Sequence, residues 1–311
     1  ADRDGPWFEA PVPPGGYFWV YLDAVSACSR YGLTLIAFVG SVFSPYYRAK
    51  GWAAPEDHVA INLALYGAKP AWAMTERGKA ALSRGRDHFA VGTSRLTWTG
   101  DGLEIVVDER QAPLPFPLRG VIGVRPLLGA GPAQALDPRK RHFWRPIAPV
   151  AEVTVAFAAP AARWRGLGYL DSNWGAEPLE AGFRAWTWSR VHRGAAEALI
   201  LYDCIERSGA AQQRGFRCTA AGVEPWAAAG LAPARLPRSF WGLQPVMRCD
   251  AGARPRLKQS WEDTPFYTRA LVEAPIGGAP AIGVQEWLDL DRLRLPLVQE
   301  MLKLRMPRRK F

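Results

Sequence analysis

The chain has 311 residues, 14 of them tryptophan, and a formal net charge of +10 at pH 7. Its length fits two domains or one large all-β domain, and no stretch reaches the roughly 18 apolar residues that span a bilayer, so an integral membrane protein is not expected. The four cysteines lie at long, irregular spacings without a CxxC pair, which disfavours a zinc site or a disulfide framework. This usage predicts a reduced protein facing the cytosol, with a periplasmic protein as the open alternative. The basic charge points to nucleic acid or anionic lipid, and the sequence has no reading helix, RNP-type strand or metal finger, so nucleic acid is not expected as a partner.

Apolar strand patterns fill the first half of the chain. Residues 16–26 (GYFWVYLDAVS) and 32–43 (GLTLIAFVGSVF) are continuous apolar runs, which is typical of strands covered on both faces. Residues 58–67 (HVAINLALYG) alternate, and residues 94–109 (SRLTWTGDGLEIVVDE) predict a hairpin that turns at Gly-Asp-Gly. The first residues, ADRDGPW, have no initiator Met and no apolar signal core, and they are compatible with a further segment upstream.

The strand pattern resumes after a Pro-containing break at residues 174–180 (WGAEPLE). Residues 184–191 (RAWTWSRV), 197–206 (EALILYDCIE) and 281–290 (AIGVQEWLDL) are the clearest predicted strands of the second half. Helical periodicity is scarce in both halves, and no internal repeat is visible. We therefore predict an all-β protein with two domains, residues 1–178 and residues 179–311.

The C-terminal end is strongly basic. After Pro296, residues 297–306 (LVQEMLKLRM) predict a short helix, one side of which carries Leu297, Met301 and Leu304. Three basic residues follow the helix: Arg308, Arg309 and Lys310. A tail of this composition is either a solvated basic end or an anchor on anionic lipid.

The common catalytic signatures are missing from the sequence. It contains no GxSxG, no HExxH, no P-loop and no GxGxxG leading from strand to helix, and no two of its four histidines have metal-ligand spacing. Hydrolase, NTPase and dinucleotide-binding functions therefore lose support. Residues 168–175 (GYLDSNWG) concentrate ionisable and aromatic groups instead, and in an extended strand Tyr169 and Asp171 point to the same face. The same spacing brings His142 and Trp144 together in RHFWRP.

Six segments together resemble the carotenoid 1,2-hydratase (hydroxyneurosporene synthase) family of purple photosynthetic bacteria: PPGGYFWVYLDAVS, GLTLIAFVGSVFSPYY, ALYGAKPAWAMTERG, RHFWRPIAP, GYLDSNWGAEPLE and WEDTPFYTR. They follow the family's order from about residue 8 to about residue 295. The family is similar to a wider group of lipocalin-like proteins, which implies a β-sandwich-like first domain and a β-barrel-like second domain. In that wider group the segment matching DSNWG usually carries His where this chain has Ser172.

The resemblance implies a hydro-lyase that needs no cofactor and adds water to the terminal C1–C2 double bond of an acyclic carotenoid such as neurosporene or lycopene. An alkene is a poor base, so a strong acid must protonate C2 and create a tertiary cation at C1. A carboxyl group whose pKa is raised by an apolar pocket is the natural donor. Aromatic faces shield the cation, each contributing about 0.5 to 2 kcal/mol. The expected partners are the carotenoid, water and an anionic membrane, which the protein meets peripherally on the cytoplasmic side.

The family context and the chemistry together select the candidate site residues. We predict Asp171 as the proton donor, Tyr169 and Trp144 as aromatic groups beside the cation, and His142 as the group that tunes the carboxyl or positions and deprotonates water. Trp174 is predicted to contact the substrate. Each of these side chains also has a structural interpretation: Asp171 as a turn or N-cap residue, the others as satisfied residues of the core.

The second half of the chain offers two alternative acids. Asp203 follows Tyr202 in an apolar strand, where burial would perturb a carboxyl group strongly. Tyr202 is predicted to contact the substrate. Asp263 is the third candidate and is more simply explained as a partner of Arg269.

Two other classes of function remain open. A lipocalin-like carotenoid carrier would use the same aromatic pocket without an ionisable group at its centre. A cyclase on the same scaffold would resemble a hydratase as well, because fold alone does not decide function.

Overall fold

The computed structural model describes residues 5–227 and 229–309. The chain divides into two compact units. The first unit comprises the residues up to Pro178 together with those from Gln299 onward, and the second unit is Leu179–Val298. Both units consist mainly of β-strands, which confirms the predicted all-β fold. Over the described residues, no helix is long and apolar enough to cross a membrane.

The first unit is built on one antiparallel sheet, which has twelve strands within the described residues. In chain order these are β1 (Tyr17–Ser26), β2 (Gly32–Val39), β3 (Val59–Tyr66), β4 (Ala71–Met74), β5 (Leu82–Arg84), β6 (His88–Val91), β7 (Ser94–Trp98), β8 (Leu103–Arg110), β9 (Pro117–Pro126), β10 (Gln134–Ala135), β11 (His142–Ala159) and β12 (Ala161–Gly175). Helix α1 (Pro45–Ala49) and two 3-10 turns, Pro55–Asp57 and Lys79–Ala81, lie in its connections. Across the sheet the order is β4-β3-β2-β1-β12-β11-β9-β8-β7-β6-β5, and β10 pairs with β11.

The two faces of this sheet differ in chemistry. On β1, Val20, Leu22 and Ala24 belong to the hydrophobic core of the unit, whereas Tyr21 and Asp23 lie between them in sequence and therefore point to the opposite face. That second face is also buried, but it carries phenol, carboxyl, imidazole and indole groups. It is the face on which the candidate site lies.

Two local predictions for the first unit are confirmed. All eight residues of β2 are buried, as a continuous apolar run predicts. Trp98 pairs with Leu103 across the predicted Gly-Asp-Gly turn between β7 and β8, where the amide of Thr99 donates to the carbonyl of Gly102 at 2.9 Å.

The second unit contains a seven-stranded antiparallel sheet and a two-stranded sheet within its described residues. It begins with helix α2 (Leu179–Gly182) and continues with β13 (Phe183–His192), β14 (Ala198–Glu206), β15 (Ala211–Thr219), β16 (Gly222–Pro225), β17 (Leu231–Arg235), β18 (Val246–Asp250), β19 (Arg256–Asp263), β20 (Tyr267–Ile276), β21 (Ala279–Asp289) and helix α3 (Leu290–Leu293). The larger sheet has the order β16-β15-β14-β13-β21-β20-β19, and β17 pairs with β18. The hydrophobic core of the second unit includes Met247, Cys249 and Val272.

The C-terminal segment forms the predicted helix, α4 (Pro296–Arg305). From Gln299 onward, however, the segment groups with the first unit, whereas the sequence assigns all of it to the second domain. Backbone hydrogen bonds explain this placement: the amide of Glu76 donates to the carbonyl of Pro307 at 3.0 Å, and the amide of Arg309 donates to the carbonyl of Glu76 at 3.0 Å. Lys310, the last basic residue of the predicted tail, lies outside the described residues.

Candidate active site

Strand β12 carries GYLDSNWG and lies between β1 and β11. In the β1–β12 register, Tyr21 is directly opposite Asp171, and Asp23 is directly opposite Tyr169. Side chains of directly opposed residues have Cβ atoms about 4.5–5.5 Å apart. Trp144 enters from β11 on the other side of β12. We call Tyr21, Asp23, Trp144, Tyr169 and Asp171 the carboxyl–aromatic cluster.

The carboxyl group of Asp171 receives two hydrogen bonds on one oxygen. The Tyr169 hydroxyl donates to Oδ2 at 2.6 Å, and the indole Nε1–H of Trp144 reaches the same oxygen at 2.8 Å. This indole N–H is also 2.8 Å from the Tyr169 hydroxyl oxygen. All three side chains are buried, with Asp171 only 2% exposed. The sequence prediction that Tyr169, Asp171 and Trp144 form one group therefore agrees with their geometry.

The structure adds Tyr21 and Asp23, which the sequence analysis missed. Asp23 is completely buried, and its Oδ2 accepts a hydrogen bond from the Tyr21 hydroxyl at 3.1 Å. The rings of Tyr21 and Tyr169 lie edge to face with centroids 6.1 Å apart. A carboxyl within the apolar run of β1, two positions from a tyrosine, was the available sequence signal. It repeats the Tyr-x-Asp spacing of β12.

His142 lies on the sheet with the cluster but at a distance from its carboxyls. It is opposite Gly175, which is four residues, or about 13 Å, along β12 from Asp171. Its Nδ1 is 2.9 Å from the Tyr17 hydroxyl, and its Nε2 is 3.3 Å from a carboxylate oxygen of Glu177. Burial lowers the pKa of His142 below its ordinary value, although the carboxylates of Asp137 and Glu177 oppose that shift.

Trp174 and Ser172 lie on the other face of β12. Because side chains alternate along a strand, both point away from the face that carries Asp171. Trp174 packs against the hydrophobic core and stacks on Phe143, with ring centroids 5.6 Å apart and an interplanar angle of 11°. The structure therefore does not bring the predicted substrate contact Trp174 together with Asp171.

The remaining predicted residues lie in the second unit. Tyr202 is buried on β14, with its ring 5.3 Å from that of Trp186. Asp203 is engaged in a two-point ion pair with Arg248, in which Nη2 is 2.7 Å from Oδ1 and Nε is 2.9 Å from Oδ2. Burial raises the pKa of Asp203, and the guanidinium of Arg248 opposes this effect. This ion pair connects β14 to β18.

The expected pairing of Asp263 with Arg269 is wrong. On β19, Glu262 is the residue directly opposite Arg269, and its carboxylate lies 2.6 Å from the guanidinium. Asp263 is the next residue, so alternation turns it away, and its Oδ2 accepts a hydrogen bond from the Phe240 amide at 2.7 Å. Glu286 is the second partner of Arg269, at 2.8 Å.

Within residues 5–227 and 229–309, no cluster of three or more His, Cys, Asp or Glu side chains is placed to hold a metal ion. The carboxyl–aromatic cluster instead combines two buried carboxyl groups, two phenols and an indole, a set that can transfer protons and surround a cation with aromatic rings.

Comparison with known proteins gives a consistent family. A family model described as carotenoid hydratase CrtC matches residues 35–311. The acyclic carotenoid 1,2-hydratase of Thiocapsa roseopersicina is 46% identical over 98% of this chain and 76% of its own length. The protein of the same name from Rubrivivax gelatinosus is 42% identical over the same shares of the two chains.

Solved structures resemble this chain in fold. The crystal structure of a putative AttH from Nitrosomonas europaea has a TM-score of 0.66 and 12% identity, covering 88% of this chain and 92% of its own. Kievitone hydratase from Nectria haematococca has a TM-score of 0.56 and 10% identity, covering 90% of this chain and 92% of its own. At these identities the likeness concerns the fold alone.

Proposed function

The chain belongs to the carotenoid hydratase family CrtC, and from this premise we propose that it is an acyclic carotenoid 1,2-hydratase in which Asp171 protonates the terminal double bond. The product is a tertiary alcohol with the hydroxyl group at C1. The observation that carries the assignment of Asp171 is its buried carboxyl group, bonded through one oxygen to a phenol and an indole.

The hydrogen bonds suit Asp171 to act as an acid. Because Oδ2 accepts from both Tyr169 and Trp144, the acidic proton belongs on Oδ1, from which it is transferred to C2. After the transfer, the same two donors stabilise the carboxylate that remains. Burial keeps bulk water away, so the cation at C1 persists until one water molecule captures it.

The reaction also requires groups that stabilise the cation at C1, and the aromatic rings of the carboxyl–aromatic cluster supply them. The hydrogen bonds of Trp144 and Tyr169 bring their rings beside the carboxyl, and Tyr21 packs edge to face on Tyr169. An aromatic face contributes about 0.5 to 2 kcal/mol to a nearby cation, depending on desolvation. His142 is assigned a positioning role, because its ring binds Tyr17 and Glu177 further along the sheet.

Substitution of Asp171 by Asn tests the acid. The amide keeps the size of the side chain and its acceptor oxygen but has no acidic proton, so we expect hydration of lycopene to fall by about 100- to 10,000-fold. Asp203→Asn is the matched control, because its amide oxygen still accepts from Arg248. Thermal melts must show that both variants are folded. A folded Asp171→Asn enzyme with near wild-type activity, beside an inactive Asp203→Asn enzyme, would refute the assignment.

Isotopic labelling separates a hydratase from a carrier and from a cyclase. The wild-type protein is incubated with lycopene in water enriched in both ¹⁸O and deuterium, and the recovered carotenoid is analysed by mass spectrometry. A hydratase puts solvent oxygen at C1 and solvent hydrogen at C2. A carrier returns lycopene unchanged, and a cyclase returns an isomer without oxygen.

The same assay tests independence from cofactors. We propose that carotenoid, water and the protein suffice, because the proton donor and the groups that stabilise the cation are side chains of the chain itself. Activity should survive dialysis against a chelator, and restoration of lost activity by one metal ion would refute this.

We also propose that the protein docks peripherally on an anionic membrane at the cytoplasmic side, since its substrate is a lipid-soluble polyene. Leu297 and Leu304 of α4 are 72% and 70% exposed, and they are two helical turns apart, so they share one side of the helix. Lys303 and Arg305 lie beside them. Exposed leucines flanked by cationic side chains are typical of helices that bind lipid interfaces.

Vesicle binding tests this docking. The double variant Leu297→Ser/Leu304→Ser should bind more weakly than wild type to vesicles of mixed phosphatidylcholine and phosphatidylglycerol. Leu114→Ser is the control, because Leu114 is 61% exposed in a loop of the first unit. Equal binding by the double variant and wild type would exclude α4 as the docking element.

A further inference from the structure

Asp23 is a second buried carboxyl group beside Asp171, and protonation of the alkene does not use it. It is completely buried on β1, directly opposite Tyr169 and therefore diagonal to Asp171 across the β1–β12 pair. Diagonal neighbours of this kind lie about 7–8 Å apart, and their Cβ atoms are somewhat closer. The two carboxyl groups thus face the same buried region from neighbouring strands.

Hydration needs a base as well as an acid. When water attacks the C1 cation, the oxygen forms its bond to C1 while still carrying two hydrogens, and one of them must leave as a proton. We propose that Asp23 is the catalytic base that accepts this proton. The inference rests on the proposed hydratase function and deepens it by assigning the second proton transfer.

The placement of the two carboxyl groups suits one acid and one base. They lie on neighbouring strands and face the same buried region, so one can give a proton and the other can accept one there. Asp171 has the phenol and indole donors that stabilise its conjugate base after proton transfer, whereas Asp23 is held through the Tyr21 hydroxyl.

The protons balance over one turnover. Asp171 gives one proton to C2, and the electrons of the double bond form the new C–H bond. Water gives its electron pair to C1 and one proton to Asp23. The proton on Asp23 then returns to Asp171 through exchange with water or the phenols, which restores the starting state without an oxidant or a reductant.

Deuterium exchange in Asp23→Asn distinguishes a base from a structural residue. Without the base, the C1 cation still forms, but an attacking water cannot give up its proton. The cation therefore returns a proton from C2 to Asp171 and the double bond forms again. In D₂O we expect hydration of lycopene to fall by at least about 100-fold, while the unhydrated lycopene that is recovered still gains deuterium at C2. Asp171→Asn is the matched comparison and should neither hydrate nor exchange.

Three results would overturn the assignment of Asp23. Hydration by Asp23→Asn within about threefold of wild type would exclude the base, since removing a general base typically costs 100-fold or more. Loss of both hydration and exchange in a folded Asp23→Asn protein would mean that Asp23 only positions Asp171. If Asp23→Asn does not fold, Tyr21→Phe replaces it, because it removes only the hydroxyl that binds Asp23; an unchanged ratio of exchange to hydration there would refute the proposal. A wild-type protein that does not hydrate lycopene would instead refute the proposed function itself.

Discussion

His142 illustrates at the scale of one residue how burial controls ionisation. Its imidazole is completely buried between Tyr17 and Glu177, and desolvation lowers its pKa below the ordinary value of about 6.5. Removal from water therefore outweighs the attraction of Asp137 and Glu177 for a protonated ring. The folded protein keeps this histidine neutral at a pH where the unfolded chain would protonate it.

The lowered pKa predicts a loss of stability in acid. Between the folded pKa and about 6.5, the unfolded state binds a proton that the folded state does not, so the free energy of unfolding decreases as the pH falls below about 6.5. One such group contributes a slope of up to about 1.4 kcal/mol per pH unit. Denaturant unfolding of wild type and His142→Gln between pH 7.5 and pH 5.5 measures it. The variant should have the smaller slope, and equal slopes would contradict the prediction.

At the scale of the element, two glycines let β12 approach β1 closely. A Cβ atom added at Gly166 would lie 1.9 Å from the carbonyl oxygen of Val25, and one added at Gly168 would lie 2.7 Å from that of Asp23. Both contacts are with backbone atoms of β1, which cannot rotate away as a flexible side chain can. The close β1–β12 pairing holds Tyr21 and Asp23 opposite Asp171 and Tyr169.

Gly166→Ala should therefore destabilise the first unit and impair the site together. Overpacking of this kind typically costs about 1–3 kcal/mol, because the strands must separate to admit the methyl group. Gly129→Ala is the control, since a Cβ at Gly129 meets nothing within 4 Å. Thermal melts and hydration assays of both variants test the idea. A Gly166→Ala protein as stable as Gly129→Ala would show that β12 can move without cost.

For the whole molecule, one ion pair ties the end of the chain to a distant part of the same unit. Arg308 pairs with the completely buried carboxylate of Glu76, whose Oε1 is also 2.8 Å from Nδ1 of His58. The guanidinium of Arg308 also donates to the carbonyl of Asp57 at 2.9 Å. Arg308 is therefore held by the protein and is not a free cation for lipid, in contrast to the solvated basic tail that its sequence suggests.

Arg308→Met should lower the stability of the protein markedly. The substitution takes the guanidinium away from the buried carboxylate of Glu76, which keeps its contact with His58, and breaking a buried ion pair typically costs about 3–5 kcal/mol. Arg309→Met is the matched control, because Arg309 is exposed and the change should stay within about 0.5 kcal/mol. Denaturant unfolding compares the two. The double variant Glu76→Gln/Arg308→Met should recover part of the loss, and equal stability of the two single variants would contradict this account.

The sequence by itself determined the strands and the residues that share a face. Alternation along a strand has a period of two, so the pattern of GYLDSNWG places Tyr169 and Asp171 on one side before any partner strand is known. The Gly-Asp-Gly hairpin and the start of α4 at Pro296 are equally local, because turn and helix signals act over a few residues. The ordered segments of the family resemblance supplied the reaction.

Only the tertiary structure decided which strands became neighbours. β1 pairs with β12 although most of the first unit lies between them in sequence, and this pairing brings Tyr21 and Asp23 to Asp171. Register shifts in β11 after Pro146, and the reach of Arg308 to Glu76, are likewise set by distant partners. A local pattern specifies that a strand must bury its apolar side chains, but many different neighbouring strands could pack against it. The choice among them is made by packing and hydrogen bonding over the whole sheet, for which no short segment carries the information.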